Sequence, residues 1–195
     1  SETGSFAAGN VNYSRFVNGT GNNQDVLVVA DFPVTPDKNL SYVTHGLFSS
    51  RNPAGAGSVF DAYGFYAGIP TAASEVPRTG SANYSVYLYA MAGQNGAPTE
   101  LVRSLVPGTM DVYFQGGSIY LTGDAERYNL ATGASLGTVN YNASADISGF
   151  ENDFDGVFRL NGVEGSWEGL FFGPAAQEVA ATFQSLGGGY SYAGS

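Results

Sequence analysis

Apolar and polar residues alternate with a period of two along most of the chain, which predicts strands. In SANYSVYLYA (81–90), Ala82, Tyr84, Val86, Leu88 and Ala90 share one face, and Asn83, Ser85, Tyr87 and Tyr89 the other. Met110, Val112 and Phe114 stand against Asp111, Tyr113 and Gln115 in the same way. Val139, Tyr141, Ala143, Ala145 and Ile147 stand against Asn140, Asn142, Ser144 and Asp146. Further strands are expected at 25–32, 42–50, 59–68, 118–123, 156–162 and 163–172. Gly116-Gly117 and Asn161-Gly162 read as hairpin turns. Gly, Asn, Pro or Asp bounds each strand, and the spacing of about 8–14 residues argues for antiparallel up-and-down order rather than βαβ units.

Several stretches break the alternation. PVTPDKNLS (33–41) reads as a loop, and RNPAGAG (51–57) as a turn. PTELVRSL (98–105) carries helix signals: Thr99 in a capping position, Glu100 in the first turn and Pro107-Gly108 as a stop. In GLFFGPAAQEVAATF (169–183), Gly173 permits positive φ and Pro174 removes a ladder donor, so the strand must stop there. Ala175 to Val179 then favour a single helical turn before a strand resumes near Thr182. The tail GGGYSYAGS is flexible by composition unless a barrel, a neighbour or an assembly pins it.

Composition sharpens this picture. Charged residues are 12% of the 195, with one lysine (Lys38), 28 glycines, 13 tyrosines and 13 phenylalanines. Such a chain lacks the material for exposed amphipathic helices and reads as all-β. The net charge is −10, and the six arginines are scattered. Nucleic acid is therefore not an expected partner, because counterion release needs clustered cations. There is no cysteine for disulfide or thiolate chemistry. No apolar run reaches transmembrane length. The start SETGSF has neither a basic nor an apolar leader region, so a signal peptide is expected to be already removed.

The stretch around Gly173 resembles the C-terminal motif of the transferrin-binding-protein-B-like β-barrel family. Phe171, Phe172, Gly173, Pro174, Ala176, Glu178, Thr182 and Phe183 match, while Ala180-Ala181 stands where the family has Gly-Gly. YVTHGLF (42–48) and the run Pro77, Gly80, Ala82, Tyr84 are similar to the family as well, so the resemblance covers about residues 42–195. It implies an eight-stranded antiparallel up-and-down β-barrel with a short helical turn before the last strand and a small N-terminal β region. The corresponding division is a single domain, 1–195, with an N-terminal β and loop region at 1–41 and the barrel at 42–195. Members of the family act mainly as receptors or hemophores that capture host iron proteins or haem.

Few residues offer chemistry. The single histidine, His45, lies mid-strand in YVTHGLF, and no GxSxG elbow is present. His45 is therefore a barrel residue at an aromatic position or a ligand contact, haem included. Glu164 and Glu168 sit about 13 Å apart along one strand face, too far for a glycosidase pair. FENDFDG (150–156) bunches Asp153 and Asp155, which are either a polar turn or a weak Ca²⁺ site. Tyr87, Tyr89 and Tyr113 fall on the polar faces of their strands, where tyrosine favours recognition.

Together these features predict a non-enzymatic binding protein. It is expected at the outer-membrane surface of a Gram-negative bacterium or outside the cell, capturing an iron carrier or haem. The alternative is a structural surface protein that assembles with copies of itself into a filament or sheath.

Overall fold

A computed structural model describes residues 2–8, 11–20, 23–30, 40–52, 59–94, 97–130, 132–149, 151–187 and 190–194. Most of the expected turn 51–57 and loop 33–41 lies outside them, at residues 53–57 and 33–39. The architecture is all-β: two antiparallel sheets, with no α-helix among the described residues. The smaller sheet is a five-stranded meander of β1 (Glu2–Ala8), β2 (Val11–Thr20), β3 (Asn23–Ala30), β4 (Val43–Asn52) and β5 (Val59–Gly68). Residue 42 therefore does not open a barrel. The strands expected at 42–50 and 59–68 pair with the N-terminal ones instead. Alternation predicts a strand but not which sheet it joins.

After one 3-10 turn (Ala73–Glu75), the larger sheet uses the rest of the chain. Its strands are β6 (Ser81–Val86), β7 (Tyr89–Gln94), β8 (Ala97–Arg103), β9 (Gly108–Tyr113), β10 (Ser118–Asn129) and β11 (Ser135–Ile147). They continue with β12 (Asp153–Leu160), β13 (Val163–Phe172), β14 (Glu178–Gly187) and β15 (Tyr190–Gly194). This sheet curls. Ladders run β7–β8–β10–β11–β12–β13–β14–β15, and β15 then returns to β7 through Tyr190↔Gln94 to Gly194↔Ala90. β9 continues the line of β8 along the same side of β10, and β6 pairs with β9. Residues 190–194 of the tail read as flexible are thus held by the chain itself.

Alternation sorts inside from outside as expected. Tyr141, Ala143 and Ala145 are buried while Asn140, Asn142, Ser144 and Asp146 are exposed. Inside the curl, Phe154, Phe158, Trp167, Phe171 and Phe183 pack ring on ring, with centroids 4.1–6.5 Å apart. The Asn161-Gly162 hairpin has positive φ at both positions (53° and 75°), as the tight turn predicted from sequence requires. Gly116-Gly117 lies in a wider turn, four residues between β9 and β10.

Two local expectations fail. PTELVRSL forms β8 rather than a helix, because period-two burial of Glu100, Val102 and Ser104 outweighs the capping signals. As a strand it places the Glu100 carboxylate against the Arg127 guanidinium in two 2.6 Å hydrogen bonds. The helical turn after Gly173 is also absent. Ala176 adopts φ 56°, which no right-handed helix accommodates, and β14 begins at Glu178.

Candidate functional site

The motif residues meet at the joint between the two sheets. The segment leaving β5 runs beside the turn after β13: Gly173 N–H donates to Ile69 (3.0 Å) and Thr71 N–H to Phe171 (2.9 Å). The Thr71 hydroxyl donates to the Gly173 carbonyl at 2.6 Å. The Glu178 carboxylate accepts backbone N–H groups from Ser41, from Tyr42 (2.9 Å) and from Val43 (3.0 Å). Three oriented donors on one carboxylate fasten the start of β4 to the start of β14. The Tyr84 hydroxyl donates to the Ala176 carbonyl, and burial pushes this phenol up to about 12. Gly173 has φ 81°, and a Cβ there would stand 2.7 Å from the Tyr42 ring. The motif is a structural clasp.

The clasp closes over a gap. Among the described residues, 178–182 of β14 pair with β13 on one side only, because β15 pairs with 183–187. β6 likewise has β9 on one side and ends the sheet order. β4 stands beside this part of β14, held there by the Glu178 carboxylate. Val43, His45, Leu47 and Ser49 form its buried row, and Val43 and His45 line a pocket shared with the curl's interior. The pocket has a volume of about 300 Å³ and reaches Met110, Leu121, Phe158 and Trp167. Ser85 to Leu88 form one lip and Val179 to Ala181 the other. His45 is 8% exposed, and desolvation lowers its pKa to about 4, so its imidazole is neutral near pH 7.

The residues singled out in the sequence separate into three places. His45 and Tyr87 share the pocket wall. Tyr89, expected on an exposed face, is buried at 2% exposure. The run 81–90 breaks between β6 and β7, and the parity changes there, so Leu88, Tyr89 and Ala90 are buried in succession. Tyr113 is 49% exposed on the outer face. It stands edge-on to the exposed Tyr120 with ring centroids 6.2 Å apart.

Asp153 and Asp155 lie in β12 rather than in a turn, on the outer face. Asp155 is in register with Asp146 on one side and Glu168 on the other. They line a second groove, about 760 Å³, between Tyr63 and Tyr66 of β5 and the outer faces of β12 to β14. The Tyr66 phenol is pushed up by burial first, then by the charges of Glu168 and Asp153. Among the described residues, no three His, Cys, Asp or Glu side chains converge as a metal-holding group.

Trp167, Tyr120 and the Glu178 clamp were missed as site residues in the sequence. Alternation from Val163 through Phe171 places Trp167 inward, and the β9–β10 register places Tyr120 beside Tyr113. The clamp joins residues 135 to 137 positions apart and leaves no local signal.

No protein-family model matches the chain, and no curated protein does. Solved structures do. A structure of intact transferrin binding protein B, with N and C lobes, aligns at a TM-score of 0.57 with 16% identity, over 97% of this chain and 38% of the other. Transferrin binding protein B from Haemophilus parasuis aligns at 0.59 with 15% identity, over 97% and 40%. That from Neisseria meningitidis serogroup B aligns at 0.54 with 17% identity, over 92% and 33%. The chain thus spans about two-fifths or less of the length of these proteins. At such identities the likeness is one of fold: the curled sheet and its smaller companion are arranged as in the barrel-and-handle units of transferrin binding protein B.

Proposed function

We propose that the chain is a non-enzymatic binding protein, an eight-stranded barrel split along one side and plugged by its handle sheet. In this reading it is displayed or exported by a Gram-negative bacterium and captures an iron-carrying protein of a host or the environment. The observation that carries the reading is the fold match along 97% of the chain with proteins named for binding transferrin. The chain's own chemistry supports a protein partner. The Tyr113–Tyr120 pair stands exposed across the β9–β10 hairpin, and tyrosine is a strong contributor at interfaces. Free haem is less well served, because the pocket beside His45, about 300 Å³, is smaller than a porphyrin disc with its substituents. Ca²⁺ at Asp153 and Asp155 would need further ligands from its partner or from solvent.

The test is direct. Transferrin, haemoglobin and free haem are titrated against the immobilised chain at physiological salt. Saturable binding of an iron-carrying protein, weakened roughly ten-fold or more by Tyr113→Ala with Tyr120→Ala, is the expected result. Absence of binding to either protein, together with no Soret shift, ends this reading.

Self-assembly has one observation in its favour: among the described residues β1 is an edge strand of the smaller sheet, a ladder a second copy could extend. The C-terminal strand offers none, since β14 and β7 flank it on both sides. A strictly monomeric species at high concentration by light scattering would exclude assembly.

A further inference from the structure

We propose that the pocket between β4 and the interior of the curl binds a neutral, largely apolar small molecule, a function separate from capture of a protein partner on the outer surface. Volume, lining and access carry this inference. An apolar cavity of about 150 Å³ takes one benzene ring. The space here, about 300 Å³, suits two linked aromatic rings or an alkyl chain of similar volume. Its deep wall is Met110, Leu121, Phe158 and Trp167. Protein interiors pack to crystal density and rarely keep a space of this size.

No charged side chain lines the pocket among the described residues. A buried ion would be left unpaired there, so the occupant carries no net charge. The polar side chains in the lining are His45, Ser85, Tyr87 and Tyr141, and the exposed Ser85 hydroxyl is placed to meet a hydrogen-bonding end of the ligand. Access needs no ladder to break. The wall includes the exposed Ser85, so the pocket meets solvent beside β6 while β4 stays fastened to Glu178.

Trp167 is the chain's single tryptophan and stands in the pocket wall, so occupancy has a site-specific readout. The full chain is titrated with N-phenyl-1-naphthylamine, an uncharged two-ring-system fluorophore that accepts energy from indole. The expected result is a saturable rise in probe emission at one probe per chain, with matching loss of Trp167 emission. A sulfonated analogue, 8-anilino-1-naphthalenesulfonate, is expected to bind roughly ten-fold more weakly or worse. Ala181→Met, which fills the pocket from β14, is expected to abolish the transfer while thermal unfolding stays cooperative. Trp167→Phe is expected to keep probe binding and lose the transfer. Emission that never saturates, or saturates without quenching Trp167, overturns the proposal. So does undiminished transfer in a folded Ala181→Met chain. If that variant does not fold, transfer from Trp167 in the native chain decides alone.

Discussion

Glu178 concentrates more of the tertiary structure than its place near the surface suggests. One carboxylate satisfies three consecutive backbone donors, Ser41 to Val43, at the point where the chain enters β4. Glu178→Ala would leave those donors to solvent or unpaired, and roughly 2–3 kcal/mol of stability should go with them. Glu178→Gln, with one acceptor oxygen in place of two, should fall between. Urea unfolding midpoints of the three proteins check the order. Gly173→Ala is expected to cost about 1–3 kcal/mol by the same measurement. Its backbone sits at φ 81°, and the added methyl meets the Gln177 side chain at 2.5 Å as well as the Tyr42 ring.

His45 adds a pH dependence whose sign follows from its burial. Its folded-state pKa of about 4 lies below the ordinary 6.5, so the unfolded chain takes up the proton first as pH falls. The stability tied to neutral His45 is complete above about pH 6.5 and is lost progressively as pH falls toward 4. The full difference is about 3 kcal/mol. Unfolding free energy measured between pH 7 and 4 should therefore fall more steeply in the native chain than in His45→Phe. Equal slopes would mean that the imidazole is solvated. Tyr84 acts at the other extreme. Its raised pKa, about 12, keeps the hydroxyl protonated as donor to Ala176, and that contribution is present below pH 10 and lost as pH rises toward 12.

At the scale of elements, the sequence made the hairpins legible and left the seams obscure. Period-two alternation located β5, β11 and β13, and Asn161-Gly162 fixed the β12–β13 register, because both signals are local. β8 was obscured because helix caps and strand alternation coexist in the same eight residues, and only its neighbours β7 and β10 decide between them. The exposure of Tyr89 was misjudged for a similar reason: a break at Tyr87-Leu88 reverses parity without any glycine or proline to mark it. Of the candidate site, His45 and Tyr87 were found as residues, but their meeting in one pocket depends on the gap beside β14, a property of unpaired backbone. β15 is the clearest case, a glycine-flanked tail whose strand character comes from two waiting edges. Deleting residues 188–195 should free both of them, lower the thermal midpoint by several degrees and raise amide exchange in β7 and in 183–187 of β14. Unchanged exchange there would show that the ladders do not depend on β15.

For the whole molecule, the decisive relation is between the handle sheet and the split in the curled one. β4 brings Val43 and His45 to the pocket wall, Tyr66 of β5 meets Phe172 edge-on at 5.8 Å, and Glu178 ties the two sheets together. The smaller sheet packs on the larger one at this joint, while the main apolar core is built from the larger sheet and its connections. A fragment of residues 69–195 tests this. It keeps every ladder of the larger sheet but loses the side chains that cover Val86, Val179 and Ala181. The fragment should keep a β-type circular dichroism spectrum, bind hydrophobic dyes and unfold at lower urea than the full chain. Trp167 should report the same change from inside the pocket, with emission shifted to longer wavelength as water reaches it. A fragment with native Trp167 emission and an unchanged midpoint would make the handle an independent appendage.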